Sequence, residues 1–232
     1  MSNGLMLKTK EAKMKETFDF LKRLSANNDR GWFNANRAEF DMLRERWLAH
    51  LGRVIGFMAK GDESLRYLEP KDAAYRIYRD TRFSNDKTPY KTFFSACISP
   101  RGRKNTGADW YLHFAPGDSC IFGGIWNPEP WQLKKIRKAI VDNIEEFRQI
   151  TENAELVEDF PDWWGRRLKT APKGYDRNHP DIELLRLIEY GKAHYLADDF
   201  FSRKGWEEEM ACKALKLKPL IDFINYSLTE DN

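Results

Sequence analysis

The spacing of apolar residues changes period along this chain, and this change limits the folds that it can adopt. Between residues 11 and 59 the apolar side chains recur every three or four positions, which is the period of a helix. Between residues 73 and 126 four short runs of strand-forming residues alternate with turn formers. After residue 127 the helical spacing returns. Helices, then strands, then helices predict a segregated α+β fold rather than alternating α/β units.

The helical regions are marked by apolar stripes and by breakers. The predicted helices cover residues 11–25, 32–59, 127–147, 151–169, 180–190 and 202–228. Ser202 is the expected N-cap of the last helix. Pro219 should kink or split that helix, because proline lacks a backbone donor and clashes with the preceding turn.

The strand-like regions are joined by short turns. The predicted strands cover residues 73–83, 92–99, 109–115 and 119–126. Loops this short favour antiparallel neighbours, because parallel pairing needs a long crossover. We therefore expect an antiparallel sheet of about four or more strands, packed against N-terminal and C-terminal helices. Gly123 and Gly124 end the last strand without fitting a phosphate-loop fingerprint, so they predict a turn or bulge with close backbone approach.

Length and composition predict one domain in a reducing compartment. The 232 residues contain no linker-like stretch, so we expect a single domain over residues 1–232, with residues 1–10 as a flexible tail. No apolar run approaches the ~20 residues of a membrane helix, and the N-terminus lacks a signal peptide. The three cysteines stand far apart and form no CxxC pair. The sequence predicts a cytoplasmic protein that does not associate with membranes.

The histidines give no indication of a metal site. Their sequence positions show no spacing typical of metal ligands, and they are His50, His113, His179 and His194. The sequence identifies no cofactor, and it leaves the oligomeric state undetermined.

Positive charge is concentrated in one segment. Residues 71–104 carry nine Lys or Arg and three Asp, a local balance of +6, whereas the whole chain carries +3. A basic segment on a mildly acidic body favours an anionic partner bound at one place, rather than a polyanion bound over the whole surface.

Within this region, residues 76–91 (the signature segment) hold the strongest candidates for a site. On a strand, Arg76, Tyr78, Asp80 and Arg82 would share one face. Guanidinium groups bind phosphate or carboxylate in a bidentate way, and an interleaved carboxylate can orient them. The candidate ligand-binding residues are Arg76, Arg79, Arg82, Lys87 and Lys91, and the candidate proton-transfer residues are Asp80, Asp86 and Tyr90.

Other interpretations of these charges stay open. Asp80 between two arginines would equally suit a salt-bridge network that fixes strand pairing, although such networks rarely add stability over apolar packing. Lys169 and Lys173, beside a glycine turn, would close over a bound anion or simply line a solvated loop. The basic cluster at residues 101–104 resembles a nucleic-acid patch, but exposed charge is ordinary in a hairpin loop.

The signature segment also carries a family resemblance. It reads RIYRDTRFSNDKTPYK, and further matching motifs follow the same order along the chain: NNDRGWF at 27–33, GGIWNPEP at 123–130, LKTAPKGY at 168–175 and KPLIDF at 218–223. These motifs resemble a bacterial and fungal family known as domain of unknown function 2461. Gly31 departs from the family, whose members more often place a charged residue there. The resemblance implies a bacterial-type cytoplasmic α+β protein and implies no activity, cofactor or site.

Two functions therefore remain in view. The first is a basic pocket for a small ligand bearing a phosphate or carboxylate, with or without catalysis on that ligand. The alternative is a non-catalytic interaction module that binds nucleic acid or a protein. The sequence favours the small anion over nucleic acid, because the excess charge is confined to one segment.

Overall fold

The computed structural model describes the backbone of residues 3–229 and the side chains of residues 14–229. Within this range the chain forms ten α-helices, three short 3-10 helices and four strands. The α-helices are α1 (Asn3–Ala26), α2 (Arg30–Ala35), α3 (Arg37–Met58), α4 (Pro70–Ala73), α5 (Pro130–Asp142), α6 (Ile144–Thr151), α7 (Ala154–Asp159), α8 (Ile182–Leu185), α9 (Trp206–Leu215) and α10 (Lys218–Thr229). The strands are β1 (Phe94–Ile98), β2 (Asp109–Phe114), β3 (Ser119–Ile125) and β4 (Tyr190–Leu196), and the 3-10 helices are Glu63–Leu65, Gly102–Lys104 and Asp198–Ser202.

The four strands form one antiparallel sheet in the order β1-β2-β3-β4, which confirms the predicted α+β class. Three of the predicted strands are present as β1, β2 and β3. The prediction of a strand over 73–83 was wrong, since this stretch pairs only through isolated bridges at Ala74 and Tyr78. Pro89 lies opposite it and has no backbone N–H, so a regular ladder cannot continue there.

Strand β4 takes the fourth place in the sheet, and the sequence interpretation missed it. The predicted helix over 180–190 is reduced to the single turn of α8. In β4, Lys192 is buried, and its Nζ donates to the backbone carbonyl of Phe160 at 2.8 Å. A lysine at a buried position breaks the apolar alternation by which a strand is usually detected.

The predicted helices are present in outline, but most are divided or shortened. The 32–59 stretch forms α2 and α3, which meet at Asn36, and the 127–147 stretch forms α5 and α6, which meet at Asn143. The 151–169 stretch is helical only in α7, and α1 extends N-terminally to Asn3.

The C-terminal helix is split, as Pro219 predicts. Helix α9 begins at Trp206 rather than after Ser202, which lies in a 3-10 helix. Helix α10 begins at Lys218, so Pro219 occupies its first turn, where the missing N–H has no intrahelical partner to lose. None of the helices in the described range is long and apolar enough to cross a lipid bilayer.

Contacts group the chain into two compact units. The first comprises residues 1–104, 111–121 and 195–212, and the second comprises residues 105–110, 122–194 and 213–232. The prediction of one domain over 1–232 stays a prediction. The proposed flexibility of residues 1–10 also stays a prediction; residues 1 and 2 lie outside the described range, and the backbone of residues 3–10 is part of α1.

The first unit has an aromatic core against one face of β1 and β2. Trp47 of α3 stacks on Phe94 with ring centroids 4.9 Å apart and meets the edge of Phe114 at 5.9 Å. Side chains alternate across a strand, so Leu112 and Phe114 point into this core while Tyr111 and His113 lie on the opposite, half-buried face.

An ion pair between a half-exposed arginine and a mostly buried glutamate joins α3 to the start of α9 in the same unit. The Nε of Arg53 donates to Glu207 Oε1 at 2.7 Å, and the Nδ1 of His50 lies 2.9 Å from the same oxygen. Burial alone would raise the pKa of Glu207, but these hydrogen bonds outweigh it and lower the pKa to about 2.

The second unit depends on close backbone approach at Gly124, as the sequence predicts. This residue has φ +138°, and a Cβ built on it would lie 2.1 Å from the carbonyl oxygen of Tyr190 on the neighbouring strand. L side chains rarely adopt this conformation, and the space is already occupied by backbone. Only glycine allows β3 and β4 to pair at this point.

We predict that Gly124→Ala destabilises the protein by about 3 kcal/mol or more, because positive-φ strain and backbone overlap act together. Gly174→Ala is the matched control, since Gly174 also has a positive φ, +94°, but has open space at its Cβ. That variant should lose only about 1–2 kcal/mol. Urea unfolding measures both, and equal losses would contradict the steric argument.

We predict that Glu207→Gln makes the free energy of unfolding depend less on pH in the acid range. A carboxylate whose folded pKa is about 2, against an ordinary 4.5, contributes stability above pH 4.5 that is lost as the pH falls from there towards 2. The variant should therefore be less stable than the parent at neutral pH and lose less on acidification. Glu208→Gln, which removes an exposed carboxylate from the same helical turn, is the control. Urea unfolding of the parent and both variants, repeated at several pH values from 6 downward, measures how the free energy of unfolding changes with pH. The prediction is contradicted if the Glu207 variant loses stability on acidification as steeply as the parent.

Candidate functional site

The signature segment forms an irregular two-stranded ribbon in the first unit. The backbone N–H of Arg79 donates to the carbonyl of Pro89 at 2.9 Å, and that of Lys91 donates to Ile77 at 2.7 Å. Tyr78 and Tyr90 form an antiparallel bridge between these bonds. The ribbon therefore projects a loop, residues 80–88, away from the sheet and leaves Arg76 and Lys91 at its base.

The base of this ribbon is held by a motif far away in sequence. The side-chain amide of Asn28 donates to the carbonyl of Tyr90 at 2.9 Å, and its Oδ1 accepts from the Tyr90 N–H at 3.1 Å. The Tyr90 ring is buried and stacks on Phe33 with centroids 4.0 Å apart. Burial raises the pKa of Tyr90. These contacts give Tyr90 a packing role, which weakens its candidacy for proton transfer.

Two of the candidate arginines are neutralised by neighbouring carboxylates. The Nε of Arg82 donates to Asp80 Oδ1 at 3.0 Å and its Nη2 donates to Oδ2 at 2.6 Å, while Arg79 donates to Asp86 and to the hydroxyl of Thr88. The bond from Arg82 lowers the pKa of Asp80 to about 2. The backbone N–H of Thr88, followed by Arg79, lowers the pKa of Asp86 to about 2. Both carboxylates are therefore ionised and engaged at neutral pH.

Arg76 and Lys91 are placed differently. In the part of the chain that the structure describes, Arg76 is exposed and makes neither a hydrogen bond nor an ion pair. Lys91 is half-buried and, within the same part, has no carboxylate partner. Its Nζ lies 5.1 Å from the ring centroid of Tyr75 and 5.8 Å from that of Phe93. Burial and then the charge of Arg76 lower the pKa of Lys91. We call these two cations the anion site.

Lys87 carries the remaining positive charge of the signature segment. Its Nζ donates to the carbonyl of Thr81 at 2.9 Å and so closes the loop over residues 80–88. The bond uses one of its three protons, and the ammonium group stays exposed.

Two aromatic rings lie beside Lys91 and contact two more on β2, and we call Tyr75, Phe93, Tyr111 and His113 the ring cluster. The Tyr75 and Tyr111 centroids are 6.2 Å apart, and those of Phe93 and His113 are 4.3 Å apart. The hydroxyl of Tyr111 lies 3.2 Å from Nδ1 of His113. All four side chains are partly exposed. The sequence interpretation did not include Tyr75, Phe93, Tyr111 or His113, although the alternation Trp-Tyr-Leu-His-Phe at 110–114 places the polar pair on one face.

The other basic candidates have different surroundings. Lys169 and Lys173 belong to the second unit, where both side chains are exposed. The guanidinium of Arg186 donates to the carbonyls of Leu168 and Lys169 at 2.7 and 3.1 Å and so fixes the backbone there. The participation of Lys169 and Lys173 in ligand binding stays a prediction. In the 101–104 cluster, the Nε of Arg103 donates to the carbonyl of Asp72 at 2.9 Å.

Metal and thiol chemistry find little support among the residues described. Across these residues no group of three or more His, Cys, Asp or Glu side chains is arranged to hold a metal ion. All three cysteines are free thiols. Burial, followed by the charge of Asp118, raises the pKa of Cys120 to about 11, so this thiol stays protonated and weakly nucleophilic at neutral pH.

Comparison with known proteins gives a family and nothing more specific. The sequence model of a family described as "Conserved hypothetical protein (DUF2461)" matches residues 16–223. No curated protein and no solved structure matches the chain significantly. The matched range includes the Asn28 motif and the whole signature segment.

We predict that Asn28→Ala destabilises the protein by about 1–3 kcal/mol, because it leaves both backbone groups of Tyr90 without their partner. Asn34→Ala is the control, since Asn34 is exposed on α2 and makes no such bond. Urea unfolding gives the size of the loss. Hydrogen exchange of the Tyr90 amide should accelerate in the Asn28 variant alone. An unchanged exchange rate would show that Asn28 does not hold the ribbon.

Proposed function

We propose that this chain, which belongs to the DUF2461 family of conserved hypothetical proteins, binds a small ligand at Arg76 and Lys91. The ligand bears a phosphate or carboxylate group. The observation that carries the proposal is charge compensation. In the signature segment, Arg79 and Arg82 each form an ion pair with a carboxylate, whereas within the described range Arg76 and Lys91 form none. The charge of Arg76 contributes to lowering the pKa of Asp80, but Asp80 is hydrogen-bonded to Arg82.

The environment of Lys91 favours an anion at this position. A half-buried ammonium beside a second positive charge is less stable than in water, and its lowered pKa reflects that. An anion between Arg76 and Lys91 would relieve both effects. Guanidinium supplies a planar pair of donors and ammonium a compact charge, and the two together suit an oxyanion.

The neutralised arginines then have a supporting role. The Arg79–Asp86 and Arg82–Asp80 pairs lie within the ribbon and its loop, so they stabilise the backbone that carries the anion site. Asp80 and Asp86 are ionised and hydrogen-bonded, so they have no proton to give at neutral pH, and a pKa of about 2 makes each a weak proton acceptor. We therefore propose ligand binding at this site and assign Asp80 and Asp86 no part in proton transfer.

A second candidate is a non-catalytic interaction module, and one observation favours it. Phe83 at the tip of the 80–88 loop is 96% exposed, and the guanidinium of Arg82 lies 5.7 Å from its ring centroid. An exposed aromatic beside a guanidinium is a platform on which nucleic-acid bases stack. Such binding would weaken steeply with salt.

We predict that an anion matched to the site raises the melting temperature and that the anion-site variants abolish this effect. A ligand at one hundred times its dissociation constant adds about 2.7 kcal/mol, or roughly 5–10 °C for a chain of this size. The probes are inorganic phosphate, adenosine monophosphate, citrate and a short oligothymidylate, each at low and high salt.

The variants Arg76→Ala and Lys91→Met remove the two charges, and methionine keeps the apolar stem between the rings. Each should weaken binding at least about tenfold, since a charge-assisted hydrogen bond contributes about 1.5–3 kcal/mol. Arg66→Ala, which removes an exposed arginine of the same unit, is the control and should bind like the parent. Equal affinity in all three variants would refute the anion site. Binding of the oligothymidylate alone, lost in Phe83→Ala, would favour the interaction module.

A further inference from the structure

We infer that the ligand is a phosphate monoester dianion and that His113 supplies a third positive charge when this dianion binds. The inference rests on the proposed anion site and deepens it. The shared chemistry, a tetrahedral dianion, would come from free phosphate or from the phosphate group of a metabolite.

The geometry places His113 beside the anion site. Its ring lies 4.3 Å from the ring of Phe93, and the Nζ of Lys91 lies 5.8 Å from that same ring. Lys91 and His113 therefore both lie near the ring of Phe93, and the charge of Lys91 acts on His113. Arg76 is close enough to Lys91 to influence its titration.

The hydrogen bond from Tyr111 leaves one imidazole nitrogen for a ligand. Nδ1 of His113 lies 3.2 Å from the Tyr111 hydroxyl, and across the described residues Nε2 has no hydrogen-bond partner. A hydroxyl both donates and accepts, so it serves Nδ1 whether or not that nitrogen is protonated. When the hydroxyl donates to Nδ1, the neutral ring carries its proton on Nε2, and the protonated ring carries a proton on both nitrogens. In these two states Nε2–H is able to donate to an oxyanion.

Three titratable groups act on His113 from the surrounding elements. They are Tyr111 on β2, Lys91 before β1 and Asp118 in the turn after β2. Cys120 on β3 lies in the field of Asp118 as well, and its thiol is protonated at neutral pH. Burial lowers the pKa of His113, the charge of Asp118 raises it and the charge of Lys91 lowers it, with a net lowering. The free protein therefore holds His113 neutral at pH 7.

A bound dianion reverses this balance. Two negative charges beside the imidazole raise its pKa, so binding takes up a proton. The gain in affinity is fully present below the pKa of the free protein and is lost as the pH rises through the pKa of the complex. Each unit by which the pKa rises corresponds to about tenfold in affinity.

A dianion fits three cations better than a carboxylate does. Arg76, Lys91 and protonated His113 together offer donors from three side chains, and a phosphate monoester presents three acceptor oxygens. A carboxylate has one charge and two oxygens, so it leaves one cation uncompensated.

The experiment is calorimetric titration with sulfate, which stays a dianion where histidine titrates, at about pH 5.5 and about pH 8. Measurement in two buffers of different ionisation enthalpy gives the protons taken up. The parent should bind sulfate about tenfold more tightly at the lower pH, with proton uptake. His113→Gln should bind equally at both pH values without uptake. His179→Gln, the control in the second unit, should behave like the parent. Phenyl phosphate and inorganic phosphate at pH 8 distinguish an ester from the free ion.

The outcomes separate this inference from the proposed function. Suppose that Arg76→Ala abolishes sulfate binding, while His113→Gln still binds sulfate with proton uptake. This result overturns the role of His113 and keeps the anion site. Acetate binding as tightly as sulfate overturns the dianion. No binding of sulfate or of either phosphate at both pH values overturns the anion site itself. An NMR titration of the His113 ring, with and without sulfate, uses the parent protein and so does not depend on whether a variant folds. If sulfate leaves the pKa of His113 unchanged, the role of His113 is overturned.

Discussion

Ion pairing within the signature segment decides which of its positive charges stay uncompensated in the first unit. The Arg82–Asp80 and Arg79–Asp86 pairs each form between residues only two and seven positions apart, so they close within the ribbon and its loop. Among the residues described, Arg76 and Lys91, at the base of the ribbon, form no ion pair, although the charge of Arg76 acts on Asp80. Three cations of this segment therefore form no ion pair within the described residues: Arg76, Lys91 beside the aromatic rings, and the exposed Lys87.

The position of that group depends on a contact between two parts of the chain that are far apart in sequence. Asn28 pairs with both backbone groups of Tyr90 just as a neighbouring strand would, and the stacked Phe33 and Tyr90 rings bury the contact. Both motifs lie within the matched family range. A similar structural role applies to Gly124 in the second unit, which permits close pairing of β3 with β4.

The sequence predicted the fold class, three of the four strands, the helical regions and the break at Pro219, since these follow from local periodicity and from backbone chemistry. It failed where tertiary contacts override local preference. Lys192 in β4 is satisfied by backbone carbonyls of the 160–161 stretch, so its strand does not look apolar. The 73–83 stretch looks like a strand, but its opposite neighbour includes Pro89 and cannot form a continuous ladder.

By itself, the sequence determined where the positive charge lies and which residue types are available to bind an anion, because composition and spacing are properties of the chain alone. Only the tertiary structure decided which of those charges are already compensated and which side chains surround the rest. His113 lies near Phe93 and within the field of Lys91 because β2 pairs beside β1 in the sheet. Sheet pairing joins residues that are distant along the chain, and no local pattern records it.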